Sequence, residues 1–324
     1  MSQALNNLSV GATVEVPVKN EYQSILGQTL VFKIADKNHA GYPANSVTLI
    51  TDKIIALLPF DAKEPSNSNS DRQNYGNNRY SYANLLRWLN SNATAGNWYS
   101  AKHAADASPA SARVSVNPYD TWAGFLTMLD DNFSATLINT VQIVVRNTVT
   151  DGGSYETVTS KMFLASTTEV GLANENSIAE GSKLALFSDD TSRIAYCTQA
   201  AIDTSQYSGN PTTSVAWPCW LRTPDASTAY IVRMINPSGT LGVSSSYLGS
   251  FGIRPVCNLA SEILVSGYPN ADGNYEFVWN AAPNIPVRFG GAWKNSTPFV
   301  KQDGAWKPVT NAYVKQIGAW KETV

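Results

Sequence analysis

The sequence predicts an α+β fold rich in short strands and loops, and three observations carry that expectation. Charged residues make up only 15% of the 324-residue chain. Asn, Ser, Thr and Ala fill the surface instead, and the first three favour turns and caps over helix interiors. Strand-like runs are short and numerous, whereas only two segments show clear helical spacing. Finally, the last forty residues repeat one phrase three times: Val287-Arg-Phe-Gly-Gly-Ala-Trp-Lys294, Val300-Lys-Gln-Asp-Gly-Ala-Trp-Lys307 and Val314-Lys-Gln-Ile-Gly-Ala-Trp-Lys321. A repeat this short buries no core alone and needs its own copies, a neighbouring domain or another chain.

The elements follow in order. Val14-Glu-Val-Pro-Val18 alternates, and Thr29-Leu-Val-Phe-Lys-Ile34 reads as a strand. A turn-rich segment over 36–45 leads to Val47-Thr-Leu-Ile50 and then to Ile54-Ile-Ala-Leu-Leu58. Residues 65–78 are polar and rich in Asn, which predicts a loop. Apolar spacing predicts a helix over 82–90 and a second over 121–131, where Trp122, Phe125, Leu126 and Leu129 share a face. Thr140–Arg146, Lys161–Ala165 and Ala229–Ile235 read as strands, and 169–183 as polar and irregular. Ala281-Ala-Pro-Asn-Ile-Pro286 is the one convincing boundary, so the chain is read as a large domain, 1–280, and a repeat appendage, 281–324.

Bulk properties exclude several function classes. Net charge is −2 with no basic block, so a nucleic-acid footprint is absent. Apolar stretches are too short to span a membrane, and the N-terminus lacks the features of a signal peptide. The odd set Cys197, Cys219 and Cys257 has no metal-ligand spacing and reads as reduced, buried thiols. This is the profile of a protein made in the cytoplasm, which is equally compatible with a virion component released by lysis.

Four stretches in order carry a resemblance: Phe60-Asp61 with Tyr75-Gly-Asn-Asn-Arg-Tyr-Ser-Tyr-Ala-Asn-Leu-Leu-Arg-Trp-Leu-Asn90; Lys161-Met-Phe-Leu-Ala-Ser-Thr-Thr-Glu-Val170; Trp220-Leu-Arg-Thr-Pro224; and Gly252-Ile-Arg-Pro-Val-Cys-Asn-Leu259. Together they resemble an uncharacterised domain family of phage and prophage tail-region proteins from Gram-positive hosts. The closing Trp-x-Arg and Gly-x-Arg pair is also similar to the end of the C-type-lectin-like fold. The resemblance implies a C-type-lectin-like large domain in a virion-associated protein, with no established reaction. The tail phrases separately resemble the ends of phage tail and fibre proteins, with Arg288 replacing the first Lys.

Arg222 and Arg254 read either as ligand contacts or as arginines that lock irregular loops; the five-donor guanidinium favours locking. Trp220 belongs with them as a structural residue. The stretch between the arginines corresponds, in lectin-like proteins, to the ligand face. Here Tyr230, Arg233, Asn236, Ser245 and Tyr247 are the candidate ligand-binding residues, since Tyr supplies rigid contact area and Ser and Asn adaptable hydrogen bonds. Plain exposed strand positions are the competing reading. Most tryptophans read as core, with Trp98 and Tyr99 as the likeliest exceptions.

Enzyme chemistry has little text to rest on. A nucleophile–histidine arrangement would have to use His39 or His103. The pairs Asp130-Asp131 and Asp189-Asp190 read as turns or helix ends, and no metal or cofactor is expected. Each tail repeat reads as a β-hairpin with its turn at Gly, placing Trp293, Trp306 and Trp320 equivalently for oligomerisation or attachment, a trimer being the first expectation. The expected function is a virion adhesin of the tail fibre or baseplate that binds a host cell-wall glycan non-covalently. The alternatives are a protein that contacts only other virion proteins and, weaker, a cell-wall-degrading enzyme.

Overall fold

The computed structural model describes residues 2–279 and six tail strands between Ile285 and Glu322. The chain forms two compact units, Gln3–Phe277 and Val278–Val324. The first is a mixed α+β fold of short strands, short helices and long connections.

Its strands, in chain order, are β1 (Ser2–Ala4), β2 (Thr13–Pro17), β3 (Thr29–Lys37), β4 (Ser46–Thr51), β5 (Ala56–Leu57), β6 (Thr140–Val145), β7 (Tyr155–Ser160) and β8 (Met162–Phe163). After a long interval come β9 (Cys219–Pro224), β10 (Ile231–Ile235), β11 (Leu241–Ser245), β12 (Gly252–Ile253), β13 (Val256–Ala260), β14 (Leu264–Ser266) and β15 (Tyr275–Glu276). A six-stranded sheet has the order β15-β2-β3-β4-β13-β8, and a five-stranded sheet the order β11-β10-β9-β12-β5. The pairs β6-β7 and β1-β14 stand apart.

Alternation explains the outer strands. In β2, Val14 and Val16 are buried between Thr13 and Glu15; in β3, Leu30, Phe32 and Ile34 do the same. The central strands β4 and β9 are buried at every position, so neither shows the alternation of the outer strands. Two short crossings join the sheets: β4 leads into β5, and β12 leads through Arg254-Pro255 into β13; the long connection from β8 to β9 is a third. Arg254 locks this joint by donating from Nε to the Thr51 carbonyl at the end of β4, 3.0 Å away. Trp220 does likewise, its Nε1 donating to the Leu58 carbonyl at 2.9 Å. Both residues therefore occupy structural positions.

The two helices expected from spacing are shorter than predicted. Residues 80–82 form a 3₁₀ turn and Ala83 is extended, so α-helix starts only at Asn84 and runs to Leu89, buried on all sides. Its first N–H group is satisfied from a distance by Asp61 Oδ1, 2.9 Å from the Asn84 nitrogen. In the 121–131 region only Phe125–Met128 is helical, and a separate helix covers Asp131–Thr136. Asp130 accepts from the Phe133 N–H and caps that second helix, so the acidic pair opens a helix where the spacing placed it at the end of one. Asp189 similarly makes a capping box with Ser192 at the start of Asp190–Arg193.

Trp98 overturns its expectation as a surface platform. It is 5% exposed, stacks on Tyr119 at 5.3 Å and donates from Nε1 to the Tyr119 carbonyl. It belongs to an aromatic core with Trp88, Trp122 and Phe125. Tyr99 is half-buried, its ring facing Arg87 at 5.2 Å.

In the second unit, strands Ile285–Phe289, Ala292–Ser296, Phe299–Gln302, Ala305–Pro308, Tyr313–Gln316 and Ala319–Glu322 form three separate antiparallel pairs. Trp293 sits opposite Arg288, Trp306 opposite Lys301 and Trp320 opposite Lys315. The backbone register is thus equivalent in all three. The connecting glycines and the packing of the three tryptophan side chains lie outside the described residues. Among the described residues, no helix is long and apolar enough to cross a membrane.

Candidate functional site

The site is built on a buried polar network around Arg222. This side chain is fully buried on β9 and pairs with Glu169 through two bonds of 2.5 and 2.7 Å. It also donates to the carbonyls of Leu164 and Glu180 at 2.9 and 2.8 Å. Tyr42 completes the group, its hydroxyl donating to Glu169 Oε1 at 2.5 Å. Burial opposes the charge on Arg222, but Glu169 more than offsets it and holds the guanidinium well above its ordinary range. Glu180, equally buried, accepts from the Val145 N–H and the Thr223 hydroxyl. Burial pushes its carboxyl up to about 7 despite the opposing pull of Arg222. The segment 169–183 is irregular, yet it delivers both carboxylates to the core. Arg222 has no donor left for an external ligand, so its role is to lock loops.

On the surface of this scaffold, three tyrosines meet. Tyr75 ends the helix Ser70–Tyr75, whose first turn is capped by the side chain of Asn69. Its carbonyl accepts from the Tyr247 N–H at 3.1 Å and from the Ser246 hydroxyl at 2.8 Å. The Ser246 N–H in turn donates to the Tyr230 carbonyl at 3.0 Å. Gly76 makes this approach possible: its φ is +83°, and a β-carbon there would lie 2.5 Å from Ser246 Oγ. The Tyr75 ring lies 4.8 Å from that of Tyr230 and 6.0 Å from that of Tyr247. Lys63 Nζ sits 4.7 Å from the Tyr247 ring centroid. Tyr75 is 39% exposed, and the other two are half-buried. Among the described residues, none of the three phenolic hydroxyls has a hydrogen-bond partner. The group is therefore a pinned aromatic surface with unspent polar tips.

Of the residues chosen from sequence, Tyr230 and Tyr247 come together here, and Ser245 ends β11 beside them, paired with Ile231. Arg233 does not join as a free contact. Its guanidinium is spent on Glu175 at 2.7 and 2.9 Å and on Asp225 at 3.0 Å. Asn236 is at the opposite end of the β10–β11 hairpin, where its side chain donates to the Leu241 carbonyl and shapes the turn. Sequence reasoning missed Tyr75 and Lys63. The available signal was Tyr75 followed by Gly76, a ring beside a residue suited to close backbone approach.

Other reactive groups are largely internal. Asp61, Glu64 and Asp106 cluster near Arg87, which pairs with Asp106. Burial, reinforced by Glu64, holds Asp61 well above the usual carboxylate range. Glu64, His103 and Asp106 bring ligand-type atoms within 4.8 Å of one another. However, Glu64 already accepts from Asn67 and Asn77, and Asp106 from Arg87 and the Lys102 N–H. His103 Nε2 lies 2.8 Å from Glu64 Oε1 but off the hydrogen-bond direction. A cation would have to displace these partners. Burial pushes Cys219 up to about 11 and Cys197 up to about 12, so neither is a thiolate at neutral pH.

One nucleophile–base–carboxylate order does occur. Ser182 Oγ is 3.4 Å from His39 Nε2, and His39 Nδ1 is 2.7 Å from Asp36 Oδ2. The second distance suits an orienting carboxylate, whereas the first is long for proton transfer.

Fold and site together define a mixed α+β domain that carries an exposed aromatic surface on an arginine–carboxylate core. The chain belongs to the DUF6273 family, a domain of unknown function, whose family model matches residues 45–261. That match takes in Tyr75, Tyr230, Tyr247 and the Arg222–Glu169 pair. No curated protein and no solved structure matches the chain at a significant level.

Proposed function

We propose that this protein is a non-covalent recognition module: a virion adhesin of the tail fibre or baseplate, contacting a host cell-wall glycan through Tyr75, Tyr230 and Tyr247. The observation that carries this reading is the pinned, exposed tyrosine cluster with unspent hydroxyls. An aromatic face stacks on the C–H face of a sugar ring, and the free hydroxyls and Lys63 supply polar contacts at its edge. The C-type-lectin-like resemblance supports the reading for Tyr230 and Tyr247, which lie in the stretch where it implies a ligand face. The three tail repeats support attachment or oligomerisation, a trimer in the first instance, and several weak sites engaged together bind strongly.

The test uses purified Gram-positive cell-wall polysaccharides and the full chain. Tyr75→Ala with Tyr230→Ala is expected to weaken binding about tenfold or more, by roughly 1–3 kcal/mol for lost stacking, with little change in thermal stability. Wild-type affinity in that double variant would remove the tyrosine surface from the reading. If neither protein binds any wall polymer while the chain co-purifies with other virion proteins, the structural alternative takes its place. A second reading, an enzyme acting on cell-wall polymer, is favoured by the Ser182–His39–Asp36 order alone. It requires Ser182 to be labelled by a fluorophosphonate and the label to be lost in His39→Ala; an unlabelled chain eliminates it.

A further inference from the structure

A further cavity shares no lining residue with the tyrosine surface. It has a volume of about 470 Å³ and opens between the helix Asn84–Leu89 and the turn from β7 to β8. Three cationic side chains line it, Arg87, Lys102 and Lys161, and the lining includes no Asp or Glu. Arg87 is paired with Asp106 behind the wall. Lys102 and Lys161 have no ion-pair partner among the described residues, so the lining carries two cations that no carboxylate offsets.

The main chain that carries the two lysines is fixed. The Lys161 backbone N–H donates to Asn90 Oδ1 at 2.9 Å, and the Lys102 N–H to Asp106 Oδ2 at 2.7 Å. Arg87 is 9% exposed, and its guanidinium is spent on Asp106 and on the carbonyls of Ser100 and Tyr82, so its part is to shape the wall. The remaining lining matches a polyol: Asn92, Asn139 and Thr159 at the exposed rim have unspent side chains, and Leu86 and Leu126 form a small apolar floor. The volume falls within the usual range for small-ligand pockets.

We propose that this cavity binds a small saccharide bearing an anionic group, a carboxylate or a phosphate. The anion would sit between Lys102 and Lys161 and the hydroxyls would face the amides. The charge-assisted bonds set the affinity, and the amides and hydroxyls orient the ring.

Calorimetric titration of the full chain with glucuronic acid, with glucose 6-phosphate and with neutral glucose tests this. At least one anionic sugar is expected to bind in the millimolar range, more weakly at high salt, and glucose is expected not to bind. Which anion binds distinguishes carboxylate from phosphate. Lys102→Gln with Lys161→Gln should weaken that binding about tenfold or more without lowering the melting temperature, and Lys161→Arg should retain it. Failure of both anions to bind, equal binding of glucose, or unchanged affinity in the double glutamine variant would overturn the proposal. Tyr75→Ala leaves this site intact, so its outcome is independent of the tyrosine surface.

Discussion

Arg222→Met is expected to destabilise the domain by about 3–5 kcal/mol, read as a lower midpoint in urea at unchanged slope. The substitution keeps much of the side-chain length but removes every donor. It leaves Glu169, which has no solvent exposure, as a buried carboxylate without its cation. It also strips the carbonyls of Leu164 and Glu180 of a partner. Buried ion pairs in general are weak evidence for stability, because an apolar replacement of both partners is often neutral. This one is different in a testable way. Glu169 also accepts from Tyr42 and from the Ser166 N–H, so Arg222→Met with Glu169→Leu orphans groups on both sides. The double variant is therefore expected to stay at least about 2 kcal/mol below wild type. Recovery to wild-type stability would show that the network is an isolated pair and not the lock on these loops.

The second large effect is on pH. Burial pushes the Glu180 carboxyl up to about 7 in the folded chain, from an ordinary value of 4.5. The folded state therefore holds a proton that the unfolded state has released, throughout the window between those values. Stability from this group is fully present below about pH 4.5, falls as pH rises through the window, and is absent above about pH 7. The loss amounts to about 3 kcal/mol, and burial of Asp61 acts in the same direction. Glu180→Gln should flatten the profile, since an amide cannot ionise while its oxygen still accepts from the Val145 N–H. Urea unfolding between pH 5 and 8 measures both slopes; a wild-type stability that rises over this range would contradict the assignment.

Much of the fold was legible along the chain. Alternation marks β2 and β3 because a half-buried strand alternates environments every residue, whereas 219–224, with Arg222 and Thr223 among its buried residues, showed no strand pattern because both of its faces are covered. Trp88 and Leu89 announced a buried helix, although not its start, because the turn at 80–82 obeys a different spacing. Trp98 was misread because a turn-rich stretch hid its partner, Tyr119, twenty-one residues on. The site was legible only in part. Tyr230 and Tyr247 stood out through local composition, but Tyr75 enters through a contact spanning 171 residues. Arg233 looked available because its partner, Glu175, lies 58 residues away.

Sequence by itself determined the class of fold, the strand-rich division of the large unit and the threefold repetition of the tail. Each of these depends on residues within a turn or two of one another, where spacing translates directly into geometry. Tertiary structure alone decided which polar groups are spent and which are open. It gave Arg222 to Glu169 and Arg233 to Glu175, and among the described residues left the tyrosine hydroxyls without hydrogen-bond partners and two lysines without ion-pair partners. The reason is physical: a buried charge takes whatever partner the sheet order brings to it, and that order is set by the packing of the whole domain.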